Sequence, residues 1–220
     1  MRPAAPPSCI TSQAAPGMLR RRAVAAALVA APALWLGPRA QPAPGRRATP
    51  SQSEGPFYPV VFPKDSDHDL LRNGALNYSD GQSAWLEGRV SDLAGQPVAG
   101  AQVEIWQCDH AGHYHHPGDG ARADSRFQGF GRVTVGADGR YRFRTIRPVA
   151  YSGRTPHIHL KVKLGQRELL TTQLYVAGEV ANPRDFLWRN LNADDRAALT
   201  VPFAPGSDGL QASFPIVVAA

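Results

Sequence analysis

From Ala84 to its end, the chain consists mainly of short segments in which apolar and polar residues alternate, separated by tight turns. Alternation with a period of two is typical of strands that bury one face. The pair Asp138-Gly139 lies between two such segments and is a strong signal for a hairpin turn. Many short strands at near-regular spacing favour an antiparallel sandwich or barrel. The predicted strands are residues 84–90, 102–107, 132–135, 141–145, 157–162, 169–175 and 214–218.

One segment in this part of the chain is predicted to be helical, residues Ala193–Leu199. Asn192 precedes it as an N-cap, and Asp194 and Asp195 are favourable in the first turn, near the positive end of the helix dipole. The expected fold is therefore all-β and antiparallel, a sandwich or a barrel, with long loops and one short helix.

The basic charge of the chain is concentrated at its N-terminus. The formal net charge is +6, yet seven of the 24 lysines and arginines lie within residues 1–47, which hold no acidic residue. The remainder has 17 basic side chains against 18 acidic ones. A near-neutral folded part lacks the basic surface that binds nucleic acid, so we predict no nucleic-acid partner.

Residues 1–50 are predicted to be an export signal followed by a linker, and residues 51–220 a single domain. Three adjacent arginines at 20–22 precede the apolar, alanine-rich residues 23–36. That stretch is shorter than the roughly 20 apolar residues that span a membrane, but it suits a signal-peptide core. Adjacent arginines before such a core resemble, loosely, a twin-arginine signal. We expect export to the periplasm or the exterior, without membrane contact after cleavage; a disordered tail is the alternative.

The chain has two cysteines, Cys9 before the predicted signal core and Cys108 well after it. Loss of the leader would leave Cys108 without an intrachain partner, so packing must stabilise the domain instead of a disulfide. The sequence assigns no role to Cys108.

The sharpest chemical feature is His157-Ile158-His159, which lies within an apolar predicted strand. Side chains at i and i+2 of a strand point to the same face, about 6.5–7 Å apart at the backbone. Two imidazoles at that spacing can bind one metal ion, with metal–nitrogen bonds near 2 Å. Two histidines on a solvent-facing strand are the alternative.

Four histidines, a residue type that often binds metal, lie in the loop after the strand that ends near Gln107. Histidines in a polar loop are more often solvated than bound to metal, so these four are weaker ligand candidates than the pair, and the sequence does not assign their role. Tyr114, within this loop, and Tyr151, in the proline-rich loop before His157, become candidates only in combination with the histidine pair. The loop histidines are His110, His113, His115 and His116.

These motifs, in this order, resemble those of the intradiol ring-cleavage dioxygenases, the family of protocatechuate 3,4-dioxygenase and catechol 1,2-dioxygenase. The resemblance covers about residues 53–191. It is carried by Glu54-Gly55-Pro56-Phe57-Tyr58, Gly112-His113-Tyr114-His115-His116, Phe143-Arg144-Thr145-Ile146-Arg147-Pro148, Tyr151, Arg154-Thr155-Pro156-His157-Ile158-His159 and Thr172-Gln173-Leu174-Tyr175.

The resemblance implies a prealbumin-like β-sandwich that holds one Fe(III) ion. It implies that this enzyme binds a catechol and O₂ and inserts both oxygen atoms to give a muconate-type diacid. Arg154 would stabilise negative charge on the substrate, Gln173 would orient Arg154, and Tyr151 would also accept a substrate proton. The implied iron ligands are Tyr114, Tyr151, His157 and His159.

Two other classes of protein share parts of this pattern. Residues 86–103 and 138–141 also suit a non-enzymatic prealbumin-like module, which needs the strands but no set of two tyrosines and two histidines. A zinc or copper protein could use the histidine pair, although a zinc hydrolase would need a third histidine or a carboxylate. Neither the particular catechol nor the oligomeric state follows from the sequence, and a homo-oligomer stays open.

Overall fold

The structure, a computed structural model, describes residues 46–220. The predicted leader and most of the predicted linker lie outside this range, so the export signal and the boundary at residue 50 stay predictions. The last linker residues already bind to the domain. The Arg46 amide donates to the Leu93 carbonyl at 3.1 Å, and the Thr49 amide donates to the Val217 carbonyl at 2.9 Å.

Short strands account for most of the regular structure in the described part of the chain. The strands are β1 (Arg72–Asn73), β2 (Leu76–Asn77), β3 (Ser83–Asp92), β4 (Gln102–Trp106), β5 (Phe130–Thr134), β6 (Arg140–Ile146), β7 (His157–Leu164), β8 (Arg167–Val176), β9 (Thr200–Val201), β10 (Ala204–Gly206), β11 (Gly209–Ser213) and β12 (Ile216–Val218). The α-helices are α1 (Phe186–Arg189) and α2 (Ala193–Leu199).

These strands form two five-stranded sheets and a small two-stranded ribbon of β1 and β2. In the first sheet β3 pairs with β6, β11 and β12, and β10 extends the sheet beyond β11. The order of the second sheet is β5-β4-β7-β8-β9. Most neighbours are antiparallel, but β11 and β12 run parallel to β3, and β9 runs parallel to β8.

The hydrophobic core lies between the two sheets. Leu86 of β3 is paired in register with Phe143 of β6, and both are fully buried. From the second sheet, Ile105 of β4 is opposite Leu160 of β7, again with no exposed surface. All four side chains belong to one continuous apolar cluster. Alternate residues of each strand therefore face the core, as the period-two pattern predicts.

The remaining residues of the second sheet lie on its outer face. Because Ile158 and Leu160 of β7 face the core, the neighbours His157, His159 and Lys161 point the other way. Strand register places Trp106 of β4 and Gln173 of β8 on either side of His159. The face of the second sheet that carries His157 and His159 is thus opposite the core.

An N-terminal segment covers this outer face, which explains why its polar residues are buried. The Gln52 amide donates to the Thr171 carbonyl at 2.8 Å, and Thr172 Oγ1 donates to the Pro50 carbonyl at 2.7 Å. Glu54 forms an ion pair with Lys161, whose side chain is 6% exposed. Residues 50–58, here named the cover segment, therefore close the site from the side opposite the core.

The predicted all-β sandwich is confirmed, with each predicted strand present and some ends shifted by one or two residues. The helix Ala193–Leu199 is also present, and Asn192 Oδ1 accepts a hydrogen bond from the Asp195 amide at 2.8 Å. A second helix, α1, was not predicted, because its four residues are too few to show a helical period. Within residues 46–220, no helix is both long enough and apolar enough to cross a membrane.

Candidate metal centre

The predicted histidine pair lies at the start of β7 with its imidazole nitrogens close together. His157 and His159 are each 1% exposed, and their Nε2 atoms are 3.2 Å apart. His157 Nδ1 is 2.6 Å from the Thr155 carbonyl oxygen, which can only accept, so Nδ1 carries the proton and Nε2 keeps its lone pair. Such a hydrogen bond is typical of metal-ligating histidines, since it sets the tautomer and the ring orientation.

The two candidate tyrosines come from two loops at the same end of the sheet, where β4 ends and β7 begins. Tyr114 comes from the loop after β4 and Tyr151 from the loop before β7; their ring centroids are 4.9 Å apart. The Tyr114 ring lies 6.0 Å from that of His159, and the Tyr151 ring lies 5.3 Å from that of His157. The four residues implied by the family resemblance are therefore brought together.

A buried carboxylate shapes the loop that carries Tyr114. Asp109 is 2% exposed, and its Oδ1 accepts from the amides of Ala111 and His113, each at 2.9 Å. Gly112 has a φ of +84°, and a Cβ there would lie 3.4 Å from Tyr151 Cβ. The missing side chain lets the two tyrosine loops approach closely.

Electrostatics in the protein alone favour the neutral form of all four side chains. Burial raises the pKa of Tyr114 well above 10, and burial also raises the pKa of Tyr151, against the opposing charge of Arg154. Burial and the nearby Arg154 lower the pKa of His157 to about 4, and burial with His157 and Arg154 takes the pKa of His159 well below 6.5. A bound cation would reverse the preference of the phenols, as metals do for other acidic ligands.

The donor set fits a cation that accepts phenolate and imidazole ligands. Tyr114 Oη and His159 Nδ1 are buried without a hydrogen-bond partner among residues 46–220. Two nitrogens 3.2 Å apart match two ligands at about 2.1 Å from one ion, at an angle of about 100°. In the same range no group of three or more histidine, cysteine, aspartate or glutamate side chains could hold a metal. A metal here would therefore require the tyrosine oxygens, which does not suit the zinc-hydrolase alternative.

Arg154 lies beside this centre, and its guanidinium forms hydrogen bonds with two side chains. Its Nε donates to Asp185 Oδ2 at 2.7 Å and its Nη2 donates to Gln173 Oε1 at 2.7 Å. Gln173 is in turn fixed, because its Nε2 donates to the Ser53 carbonyl of the cover segment at 2.9 Å. The structure thus gives Gln173 the orienting contact that the resemblance implies. The Arg154 guanidinium also lies over the Phe186 ring, 5.2 Å from its centroid.

Two further residues of the site were not identified from the sequence. Asp185 anchors Arg154 and also caps α1, since its Oδ1 accepts from the Leu187 and Trp188 amides at 2.9 and 3.0 Å. Its position before a Phe-Leu-Trp segment is a capping signal that could have revealed the helix. Trp106 stacks on His159, with ring centroids 4.8 Å apart and an interplanar angle of 9°. No sequence signal marks that stacking, since it depends on strand register.

The four loop histidines make contacts within the protein. His115 Nε2 donates to the Phe127 carbonyl at 2.6 Å. His116 Nδ1 accepts from the Gly118 amide at 2.9 Å, and His113 Nδ1 is 3.5 Å from an Asp119 carboxylate oxygen. The fourth, His110, packs against Gly81.

Cys108 is fully buried in the apolar cluster that contains Tyr114 and Trp106. Burial, with a contribution from the negative charge of Asp109, raises the pKa of its thiol to about 12. A protonated, buried thiol acts as a small apolar side chain, so packing accounts for Cys108.

Comparison with known proteins decides the family. A family model described as Dioxygenase matches residues 53–219, which is most of the chain. The protocatechuate 3,4-dioxygenase beta chain of Burkholderia cepacia is 40% identical over 126 residues, covering 51% of this chain and 53% of that protein. This chain belongs to the intradiol dioxygenase family.

Other dioxygenases show the same likeness. The hydroxyquinol 1,2-dioxygenase of Corynebacterium glutamicum is 33% identical over 143 residues, covering 57% of this chain and 45% of that enzyme. A solved dioxygenase domain from a dioxygenase–carbohydrate-binding fusion of Streptomyces sp. SirexAA-E is 32% identical with a TM-score of 0.62. The aligned region covers 78% of this chain and 97% of that domain. The chain spans about half the length of these curated relatives.

Proposed function

We propose that this intradiol dioxygenase family member is a non-haem Fe(III)-dependent enzyme that opens a catechol ring between its two hydroxylated carbons. Both atoms of O₂ would enter the product, a muconate-type diacid. The observation that carries the proposal is the convergence of Tyr114, Tyr151, His157 and His159 beside a fixed arginine. A prealbumin-like binding module would have no need of that arrangement.

The four side chains would hold Fe(III), which supplies Lewis-acid activation of the bound catechol. Two phenolates would neutralise much of the ferric charge, and the two imidazoles would bind through Nε2. Thr155 supports this role of His157, because its carbonyl oxygen holds the proton on Nδ1. Trp106 limits rotation of the His159 ring by stacking on it.

The two tyrosines differ in accessibility, which suggests different roles. Tyr114 is 2% exposed and packs under Phe57, at a centroid distance of 4.8 Å. Tyr151 is half-buried and lies on a loop of unusual geometry, since the following residue Ser152 has a φ of +44°. Tyr114 is thus suited to remain in place, and Tyr151 to yield its position to the substrate and accept a catechol proton at Oη.

Arg154 is suited to stabilise negative charge that develops on the catechol. Its side chain is 10% exposed, so solvent screens its charge weakly. Its orientation is set before the substrate arrives, because Asp185 and Gln173 bind Nε and Nη2. The guanidinium has five N–H donors, so further donors remain for the substrate. Preorganised charge of this kind lowers a barrier without reorganisation cost.

The test is to purify the mature protein, load it with iron and follow oxygen uptake with a panel of catechols. We expect a burgundy-red protein, since tyrosinate bound to Fe(III) absorbs visible light, and a ring-opened diacid as product. A protein that stays colourless after iron loading and prefers zinc would contradict the iron assignment. A red protein without oxygen uptake on any catechol would contradict the reaction.

We also propose that the enzyme is exported, by the twin-arginine route. The support is the arginine run at residues 20–22 before an apolar, alanine-rich stretch. Export of a folded protein would allow iron to be inserted before transit, away from competing metals outside. Replacing the three arginines by lysines should leave folded, coloured protein in the cytoplasm. Unchanged export of that variant would exclude the twin-arginine route.

A further inference from the structure

We propose that the catechol cleaved by this chain has an uncharged ring, so that catechol and hydroxylated catechols are substrates and carboxylated catechols are poor ones. The inference rests on the proposed function, because it concerns the same site. It is drawn from the charges around the metal centre and from the lining of the adjacent cavity.

The positive charge beside the centre is already balanced. Arg154 Nε is 2.7 Å from Asp185 Oδ2, with 10% and 0% of the two side chains exposed. Asp185 also accepts hydrogen bonds from the amides of Thr155, Leu187 and Trp188, so that its carboxylate is held as an anion in one orientation. The pair carries no net charge, and Arg154 is committed to the diol in the proposed mechanism. It therefore offers no free cation for a second anionic group.

The next cation on the same face of the sheet is outnumbered by carboxylates. Lys161, two residues after His159 on β7, lies between Glu54 and Glu168, with Glu168 Oε2 at 3.0 Å. Glu54 belongs to the cover segment, next to Gly55, where a Cβ would lie 3.2 Å from His159 Cε1. Farther along this face, Lys163 and Arg132 are both paired with the buried Glu104. Each cation of this face is therefore already matched by a carboxylate. A ring carboxylate would lose its hydration there without gaining a counter-charge, which is strongly unfavourable.

The cavity beside Tyr114 has an uncharged lining that suits a neutral substituent. It has a volume of about 100 Å³, and its walls include Phe57, Pro59, Val61, Trp106, Gln128 and Phe130. The only imidazole in its lining, that of His115, donates Nε2–H to the Phe127 carbonyl.

Two residues of this lining carry a buried polar atom without a partner in the described part of the chain. Trp106 Nε1 and Gln128 Oε1 are buried without a partner among residues 46–220, one a donor and the other an acceptor. Gln128 Nε2 is already used, since it donates to the Phe130 carbonyl at 2.7 Å. Neither atom is a cation, and the Gln128 oxygen can only accept, so these residues offer a ring carboxylate no counter-charge.

The experiment measures kcat/KM by oxygen uptake with iron-loaded enzyme on catechol, benzene-1,2,4-triol and 3,4-dihydroxybenzoate. Anaerobic calorimetric titrations measure binding of the same compounds. We expect 3,4-dihydroxybenzoate to be poorer than catechol by at least about 100-fold in kcat/KM, because a buried carboxylate without a partner is strongly disfavoured. We expect its anaerobic binding to be weaker in the same direction.

Asp185→Asn tests the cause. Removing this carboxylate leaves the Arg154 charge unbalanced, so the ratio of kcat/KM for 3,4-dihydroxybenzoate over catechol should rise about tenfold or more. Asp138→Asn, at the exposed hairpin turn, makes the same charge change and should leave that ratio unchanged. Glu168→Gln removes a carboxylate without touching Arg154, and should raise the ratio even if Asp185→Asn does not fold.

The outcomes separate this inference from the function on which it rests. Absence of turnover on all three compounds would refute the proposed function. Equal or better turnover of 3,4-dihydroxybenzoate by the unaltered enzyme would overturn the inference and leave the function standing. An unchanged ratio in folded Asp185→Asn and Glu168→Gln would overturn it as well, since the carboxylates would then not set the selectivity.

Discussion

Replacing Arg154 by alanine removes a side chain that is 10% exposed and hydrogen-bonded at 2.7 Å to both Asp185 and Gln173. Removal of one preorganised charge stabiliser typically costs about 2.7–4 kcal/mol of barrier, which corresponds to a loss of roughly 10²–10³ in turnover. The four predicted iron ligands are untouched, so iron content and visible colour should persist. The effect should therefore appear in turnover and not in metal binding.

The stability cost of the same substitution can be bounded from the contacts that remain. Asp185 loses its ion-pair partner but keeps the amides of Thr155, Leu187 and Trp188 as donors. Breaking a buried pair costs about 3–5 kcal/mol when the remaining charge is uncompensated, and a single hydrogen bond to a charged group about 1.5–3. With three donors left, we expect a loss of about 2–3 kcal/mol in the free energy of unfolding.

The assay compares Arg154→Ala with Arg147→Ala by iron content, visible spectrum, urea unfolding and oxygen uptake. Arg147 is a suitable control, because it lies in the same loop region and its ion pair is with Glu179 and not with Asp185. Only Arg154→Ala should lose turnover. Turnover of Arg154→Ala within about threefold of the unaltered enzyme, or an equal loss in Arg147→Ala, would refute the assigned role.

Three further predictions concern the metal centre. His157→Ala and Tyr114→Phe should each lose most bound iron and the red colour, measured by metal analysis after dialysis; full iron in either would exclude that residue as a ligand. Gly55→Ala should weaken iron binding, because its Cβ would lie 3.2 Å from His159 Cε1, whereas Gly153→Ala, with a similar φ and no heavy atom within 4 Å, should only cost about 1 kcal/mol of stability. Burial lowers the pKa of His157 in the metal-free protein to about 4, from about 6.5 in the unfolded chain. As the pH falls, the unfolded chain is therefore protonated at this histidine before the folded protein is. The free energy of unfolding should then fall on the order of 3 kcal/mol as pH drops from about 6.5 to about 4; equal urea midpoints at both ends would contradict this.

Local sequence signals predicted much of the fold. Alternation of apolar and polar residues located the strands, because period two assigns each side chain to a face without knowledge of the partner strand. The Asn192 cap and the acidic first turn located α2. Strands of two or three residues, such as β9 and β10, were missed, since so few residues show no period. The parallel pairs of β3 with β11 and β12 join segments far apart in sequence, which no local signal records.

The chemical identity of the site was also available from the sequence, through residue types and their spacing. The i, i+2 histidines of β7 share a face because of strand geometry alone. The motif order identified the family, and with it the candidate ligands Tyr114, Tyr151, His157 and His159. The sequence motifs do not show which charged side chains surround the four candidate ligands.

Tertiary structure decided the surroundings of the site. Asp185 lies 31 positions after Arg154 in the chain yet binds its guanidinium, and Glu54 reaches Lys161 from 107 positions away. Trp106 stacks on His159 only because β4 pairs with β7 in one register. Contacts of this kind are set by global packing, whereas strand alternation and capping depend on neighbouring residues. Sequence therefore determined which groups are candidates for the centre, and the fold determined their burial, orientation and charge balance.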